Sequence, residues 1–309
     1  MKRYIYISIL FFFSFSIAFG QNKLANAHYS LKQKEYQKAK ELIDAAAIDS
    51  NFMELPATWY YKGHIYKELF KQNEEDDMYS PLRKESIQGF KHCIELEPNG
   101  QYAESAKKGL KYLSTTIYNQ AASAFNENTY TEALSVYEYS KEVLRFAYPE
   151  TDFVDKDIMF NLGLAAIKNA MAEKDSVNAD TYIAEAEAIY KTVLVNDSNN
   201  ITANYNLGII YYNKGVEIVN NMDYSLDLME LTLIQDEIIA LFRKSLPFMK
   251  KAYDLNPTRK ETLIGLQGIY FSLNDIPKSE LYKKELEALE GGSQPQQEDE
   301  VDEDVQEED

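Results

Sequence analysis

The 309 residues include one cysteine, one tryptophan, three histidines, eight prolines and twelve glycines, and each scarcity closes off a class of explanation. A lone Cys93 cannot form a disulfide within the chain, so stability has to come from packing. The histidines, His28, His64 and His92, come without paired cysteines and without an H-E-x-x-H spacing, so the sequence offers no recognisable metal site. There is no G-x-S-x-G elbow and no Walker phosphate loop, and the many Asp and Glu are scattered with no pair set apart for acid and base work. The expectation is therefore a protein that is not an enzyme and carries no cofactor. With so little Pro and Gly to interrupt it, the chain repeats Ala, Leu, Lys, Glu and Tyr at spacings of three and four, and no segment alternates as a strand. That pattern is helical throughout and places the protein in the all-α class.

The two ends differ from the middle. Met1-Lys2-Arg3 is followed by an apolar run from Tyr4 to Phe19 broken only by serines, then by Gly20-Gln21. A basic start, an apolar stretch and small residues at Ala18 and Gly20 make residues 1–20 a signal peptide expected to be removed on export. The alternative is an uncleaved anchor, since the run falls just short of the roughly 17 to 25 residues that span a bilayer. No other run is long and apolar enough, so no membrane insertion is expected after cleavage. The Phe-rich leader ending in Gly-Gln resembles those of exported Bacteroidetes proteins. That resemblance implies a periplasmic destination, with secretion as the alternative. Asp175-Ser176-Val177 matches the short O-glycosylation motif of the same exported proteins.

At the other end, residues 290–309 hold ten acidic residues and no basic one, and with almost nothing apolar to bury they are expected to form a disordered acidic tail. The whole chain carries a net charge of -18. Without the tail and the two basic leader residues, 40 acidic residues still face 30 basic ones. So acidic a body argues against nucleic acid and against anionic lipid as partners.

Internal repetition sets the architecture. Trp59, Lys62, Gly63 and Tyr66 are followed by Ser86, Phe90 and Pro98; Asn204, Leu207, Gly208 and Tyr211 by Ser245, Met249 and Pro257; Met159, Leu162, Gly163 and Ala166 by Ala186, Tyr190 and Ser198. Weaker units keep the same order at Ala27–Ile43, Ala121–Tyr137 and Leu263–Leu286. This ordered recurrence resembles the tetratricopeptide (TPR) repeat, in which small residues let helix A approach helix B, large ones fill the gap and a proline ends helix B. The resemblance implies a TPR-like, right-handed α-solenoid of about six helical hairpins over residues 21–289.

The units are longer than the usual TPR period. The surplus falls in Phe70–Lys84, Ala172–Asp180 and Asn213–Arg243, so several hairpins are expected to have extended helices. Gln101–Leu113 reads as an additional helix between the second and third units. The amphipathic stretch Leu226–Phe242 should either pack on its own hairpin or serve as a docking surface.

Candidate binding residues follow from stacking. Helix A lines the concave face of such a solenoid, and the positions three and two places before each small residue should point into it. They are Tyr60 and Tyr61, Tyr118 and Asn119, Phe160 and Asn161, Tyr205 and Asn206. An amide donates to a carbonyl and accepts from an N–H at once, as a peptide unit requires. The rings supply apolar area at little entropic cost. Helix packing or plain solvation is the competing reading of the same residues. The row Asn119, Asn161, Asn206 resembles the asparagine ladder of O-linked N-acetylglucosamine transferases, which implies a grip on an extended polypeptide. The carboxylate clamp of cochaperone TPR domains is not matched, for lack of basic residues. The expectation is thus an exported scaffold or adaptor that binds a protein or peptide partner. The alternative is a carbohydrate-binding protein resembling SusD-like TPR proteins, using Trp59 and Tyr60.

Two readings concern isolated side chains. His28 and His64 occupy the same position of the first two units, about one helix spacing (~10 Å) apart, too far to share a metal. Cys93 stands where helix B normally carries alanine and reads as a small buried hydrophobe.

Overall fold

A computed structural model describes residues 23–291. The expected signal peptide and the acidic tail beyond residue 291 lie outside the described residues. Among those described, the chain forms twelve helices and no strand. The described residues divide into two compact units that meet in sequence between Phe153 and Val154.

In the first unit, α1 (Lys23–Lys32), α2 (Tyr36–Ala47), α3 (Pro56–Asn73), α4 (Pro81–Leu96), α5 (Ala103–Ser123) and α6 (Tyr130–Ala147) form three antiparallel hairpins. In the second, α7 (Val154–Lys174), α8 (Ala179–Asn196), α9 (Ile201–Asn220), α10 (Leu228–Leu255), α11 (Lys260–Ser272) and α12 (Ile276–Gly291) form three more. Each unit is a TPR-like stack in which odd-numbered helices take the A role and even-numbered ones the B role. The last helix runs two residues past the expected boundary at 289.

Local chemistry sets the helix starts. Pro56 and Pro81 occupy the first turn of α3 and α4, where a missing N–H costs nothing. The Ser80 hydroxyl accepts from the Arg83 N–H, and the Asn200 side chain caps α9 by accepting from Ala203 N–H. Asp227 and Glu230 form a reciprocal capping box at α10.

The repeat motif is visible as packing. A Cβ on Gly63 would fall 2.5 Å from Phe90, and one on Gly208 would fall 2.5 Å from Met249, so both glycines are there to admit a large residue from helix B. In the same two hairpins the helix-B serine donates back to that glycine's carbonyl, Ser86 to Gly63 at 2.7 Å and Ser245 to Gly208 at 2.6 Å. Corresponding sequence positions thus make corresponding contacts. Phe90 is also met from the other side by Gly109 of α5, again at 2.5 Å from a built Cβ.

The surplus length of the repeats is absorbed mainly as longer helices. The separate helix expected at Gln101–Leu113 does not exist; α5 runs without a break from Ala103 to Ser123, because Gly109 alone costs too little to end a helix. The first and last hairpins are the tight ones. Lys34 and Asn274 take left-handed backbone conformations, φ 61° and 58°, and the following N–H reaches back five residues, Glu35 to Ser30 and Asp275 to Tyr270, each at 2.9 Å.

One charge is buried without a carboxylate. Arg83 is 3% exposed. Its guanidinium donates to Gln120 Oε1 at 2.6 Å and Thr116 Oγ1 at 3.4 Å on α5, and to the carbonyls of Asp77 and Met78 in the α3–α4 loop. It also lies over the Phe70 ring at 5.1 Å. Burial pushes its pKa down, and these acceptors are what keep the cation tolerable there.

Candidate binding groove

The A-helix faces of the two units differ. In the first unit, rings from α1, α3 and the start of α5 meet: His28 stacks on Tyr61 at 4.4 Å, Tyr60 lies 5.4 Å from Tyr61, and Tyr102 packs on Tyr60 at 4.6 Å. His64 meets Tyr60 at 4.6 Å and Phe90 at 5.2 Å. The tyrosines therefore lie between the two histidines. Burial drives the His64 pKa down to about 4, with Lys67 adding to the effect, and its Nε2 has no hydrogen-bond partner. Burial, with the Tyr102 hydroxyl alongside, pushes Tyr61 up to about 12. The rings of α1 and α3 cover one another.

In the second unit the corresponding seam is open. Neighbouring A helices touch in α1–α3, α3–α5 and α9–α11, whereas α7 and α9 meet at most marginally. Between them lies a cavity of about 600 Å³. Leu162, Ala166, Asn169, Ala170 and Glu173 form its α7 wall, and Thr202, Asn206, Ile209, Asn213 and Glu217 its α9 wall. Both sets follow the three-and-four spacing of a single helix face. The start of α8 contributes Ala179, Asp180 and Ile183, with Tyr190 further along. The cavity exists because Ala166 and Ala170 stand where bulkier side chains would close the seam.

The polar groups of the groove are only partly used. Asn169 Nδ2 reaches the Tyr190 hydroxyl at 3.1 Å, while Asn169 Oδ1 is shut off from water and has no partner. Asn206 spends a donor on Thr202 O at 2.9 Å. Behind the groove, Glu187 gathers Lys191 (2.7 Å), Lys214 (3.1 Å) and the Tyr211 hydroxyl (2.7 Å). Burial pushes its carboxyl up, but these three donors together outweigh burial and bring the pKa down to about 2.

The residues singled out from sequence do not form one wall. Only Asn206 lines this groove. Tyr60 and Tyr61 belong to the ring cluster, and Tyr118 packs edge-on against Tyr137 at 6.0 Å. Asn119 is exposed beside Glu75, Asp76 and Met78, in a separate shallow depression. Phe160 is 4% exposed, so it is a core residue and not a groove ring. Asn161 is half-buried outside the cavity, and Tyr205 is packed in the core of its unit with the Arg259 guanidinium 3.6 Å from its ring centroid. Counting back a fixed number from the small residue picks the same face of every A helix, whereas the groove takes one face of α7 and a different face of α9. Asn169, Asn213 and the two alanines were missed, although the Asn206, Ile209, Asn213, Glu217 stripe is legible as helical spacing.

Other candidates resolve simply. Cys93 is buried, and burial pushes its thiol up to about 11, with Glu97 contributing. Trp59 donates its indole N–H to Met53 O at 2.7 Å and meets His92 edge-on. The Leu226–Phe242 stretch divides: Ile234, Ile238 and Phe242 pack inward, while Leu228, Met229 and Leu233 are exposed. Among the described residues no group of three or more His, Cys, Asp or Glu is placed to hold a metal ion, and no helix is long and apolar enough to cross a membrane.

No protein-family profile and no curated protein matches the sequence. Among solved structures the chain is similar to a monomeric mutant of IFIT1 with Gppp-AAAA, at 11% identity and a TM-score of 0.34, over 82% of this chain and 46% of that one. It is also similar to a second monomeric mutant of IFIT1 with m7Gppp-AAAA, at 10% identity and a TM-score of 0.35, over 84% of this chain and 58% of that one. The chain spans about half the length of these structures.

Proposed function

We propose that this protein is an exported, non-catalytic scaffold that takes a segment of polypeptide into the groove between α7 and α9. The observation that carries the reading is the open seam itself, a cavity of about 600 Å³ between α7 and α9 lined by amides and apolar side chains together. Asn206 and Asn213 along α9 offer the donor and acceptor that a peptide unit needs, and Leu162 and Ile209 offer apolar contact for a side chain. A nucleic-acid ligand, such as the capped oligonucleotides present in the two IFIT1 structures, would set phosphates against the carboxylates of Glu173, Asp180 and Glu217. Export rests on the leader, and N-terminal sequencing of the protein from a fractionated cell should begin at Gln21.

Ala166→Phe tests the binding reading by closing the seam with a side chain that the exposed position of Ala166 can accommodate. On a random-sequence peptide array the parent should retain a reproducible set of peptides, and the variant should lose it while its melting temperature stays within a few degrees. Equal retention by both proteins, or none by the parent, would overturn the proposal.

A further inference from the structure

We infer that an apolar trough along α10 binds a long-chain carboxylate, a fatty acid with its head at Arg243. The site is separate from the α7–α9 groove, and its failure would leave that groove untouched. A cavity of about 610 Å³ lies where the ends of α9 and α11 meet the first half of α10, within the size range of ordinary small-molecule sites. Leu231, Gln235, Ile238, Ile239, Phe242 and Arg243 line it at three-and-four spacing, one face of α10 over about 18 Å of helix. Val219 and Met222 from the end of α9, with Phe271 and Leu273 from the α11–α12 turn, add apolar walls. The trough follows from unequal helix lengths. Helix α10 has 28 residues and α11 only 13, so antiparallel pairing from their shared end leaves the first turns of α10 without α11 beside them.

Two features say what would fill it. The first is apolar surface left in water: Tyr224 and Phe271, which line the cavity, are 74% and 68% exposed, and clustered exposure of this kind marks a binding surface. The second is the placement of charge. Arg243, at one end of the α10 stripe, is the one charged side chain of the lining, and its guanidinium takes no ion pair and no hydrogen bond among the described residues. Asp236 and Glu237, on the same helix, do not line the cavity. A single cation thus ends an apolar run broken only by Gln235, in a body (residues 21–289) where 40 acidic residues face 30 basic ones. A neutral hydrocarbon would leave the guanidinium unanswered. A short anion would leave the apolar run in water, and a cation would be repelled. A methylene chain ending in a carboxylate meets both, because the run covers the chain and the guanidinium can hold the carboxylate by two parallel N–H donors.

The experiment titrates the full mature chain with cis-parinaric acid, a polyene carboxylate whose fluorescence rises when it leaves water. One equivalent should saturate the signal. Arg243→Gln should weaken binding roughly tenfold, and the methyl ester should bind the parent about as weakly as the acid binds that variant. Phe271→Asp sets a charge against the chain from an exposed position and should weaken binding at least as much. Both variants should keep the parent's helical signal and melting temperature, since neither side chain is buried. Absence of saturable binding, equal affinity for acid and ester, or parent-like binding by Phe271→Asp would overturn the inference. So would sedimentation showing a parent dimer that Phe271→Asp dissociates, because a second copy of the chain would then occupy the trough.

Discussion

Both units stack three hairpins by the same rule, yet their A-helix seams have opposite characters. In the first, His28, Tyr60, Tyr61 and Tyr102 fill the space between α1, α3 and α5. In the second, Ala166 and Ala170 leave a gap between α7 and α9. The small-to-large contact that defines a hairpin, Gly63 with Phe90 or Gly208 with Met249, is the same in both. What differs is the size of side chains that the repeat motif does not prescribe. A repeat can therefore hold its fold with one seam filled by rings and another left open.

The strongest way to break this contrast is Phe90→Ala. Phe90 is fully buried between two glycines, so its loss should cost about 3–5 kcal/mol. Trp59, the only tryptophan, belongs to the first unit. Its fluorescence transition should move to lower denaturant, while the helical signal of the second unit unfolds as before. A joint shift of both would mean that the units do not behave separately.

A smaller effect compares the crossings themselves. Gly63→Ala pushes a methyl into an aromatic ring, whereas Gly208→Ala pushes it into the flexible Met249 side chain, although Met249 N also lies 3.2 Å away. Overpacking of about 1–3 kcal/mol is expected at Gly63 and less at Gly208. Urea titrations of the two variants should rank them so; the reverse order would contradict the packing described.

The smallest effect is acid sensitivity, where the units should separate by pH. His64 has a folded pKa of about 4, below the ordinary ~6.5, so the unfolded chain binds its proton more readily. Its neutral form is fully accommodated above about pH 6.5, and the first unit loses stability as pH falls from there toward 4. Glu187 is held at about 2, below the ordinary ~4.3. Its stabilisation of the second unit is complete above that value and is lost as pH falls through about 2. Between pH 6.5 and 4.5 only the Trp59 transition should move, and His64→Leu should flatten it. An unchanged slope in that variant would assign the sensitivity to another group.

The hairpins were legible in sequence because a repeat encodes local spacing, and spacings such as Gly63 to Tyr66 or Ser86 to Phe90 survive whatever is inserted between them. The class and number of hairpins came from that. The division after Phe153 was not legible, since α6 and α7 follow one another with no shift in composition. Nor was the groove. Phe160 and Tyr205 look equivalent by position, but burial depends on neighbours distant in sequence. Ala166 and Ala170 matter for what they fail to fill, and small residues on a helix announce nothing until the facing helix is placed.

Arg83 has a consequence for how the first unit can be cut. Its acceptors lie on two hairpins, in the loop ending the second hairpin's first helix and on α5 of the third. A fragment ending after α4 would strip Thr116 and Gln120 from a cation still enclosed by its own loop. Truncation libraries of this chain should therefore yield soluble pieces that end beyond α5 and none that stop between Leu96 and Ala103, even though that connection is exposed and short.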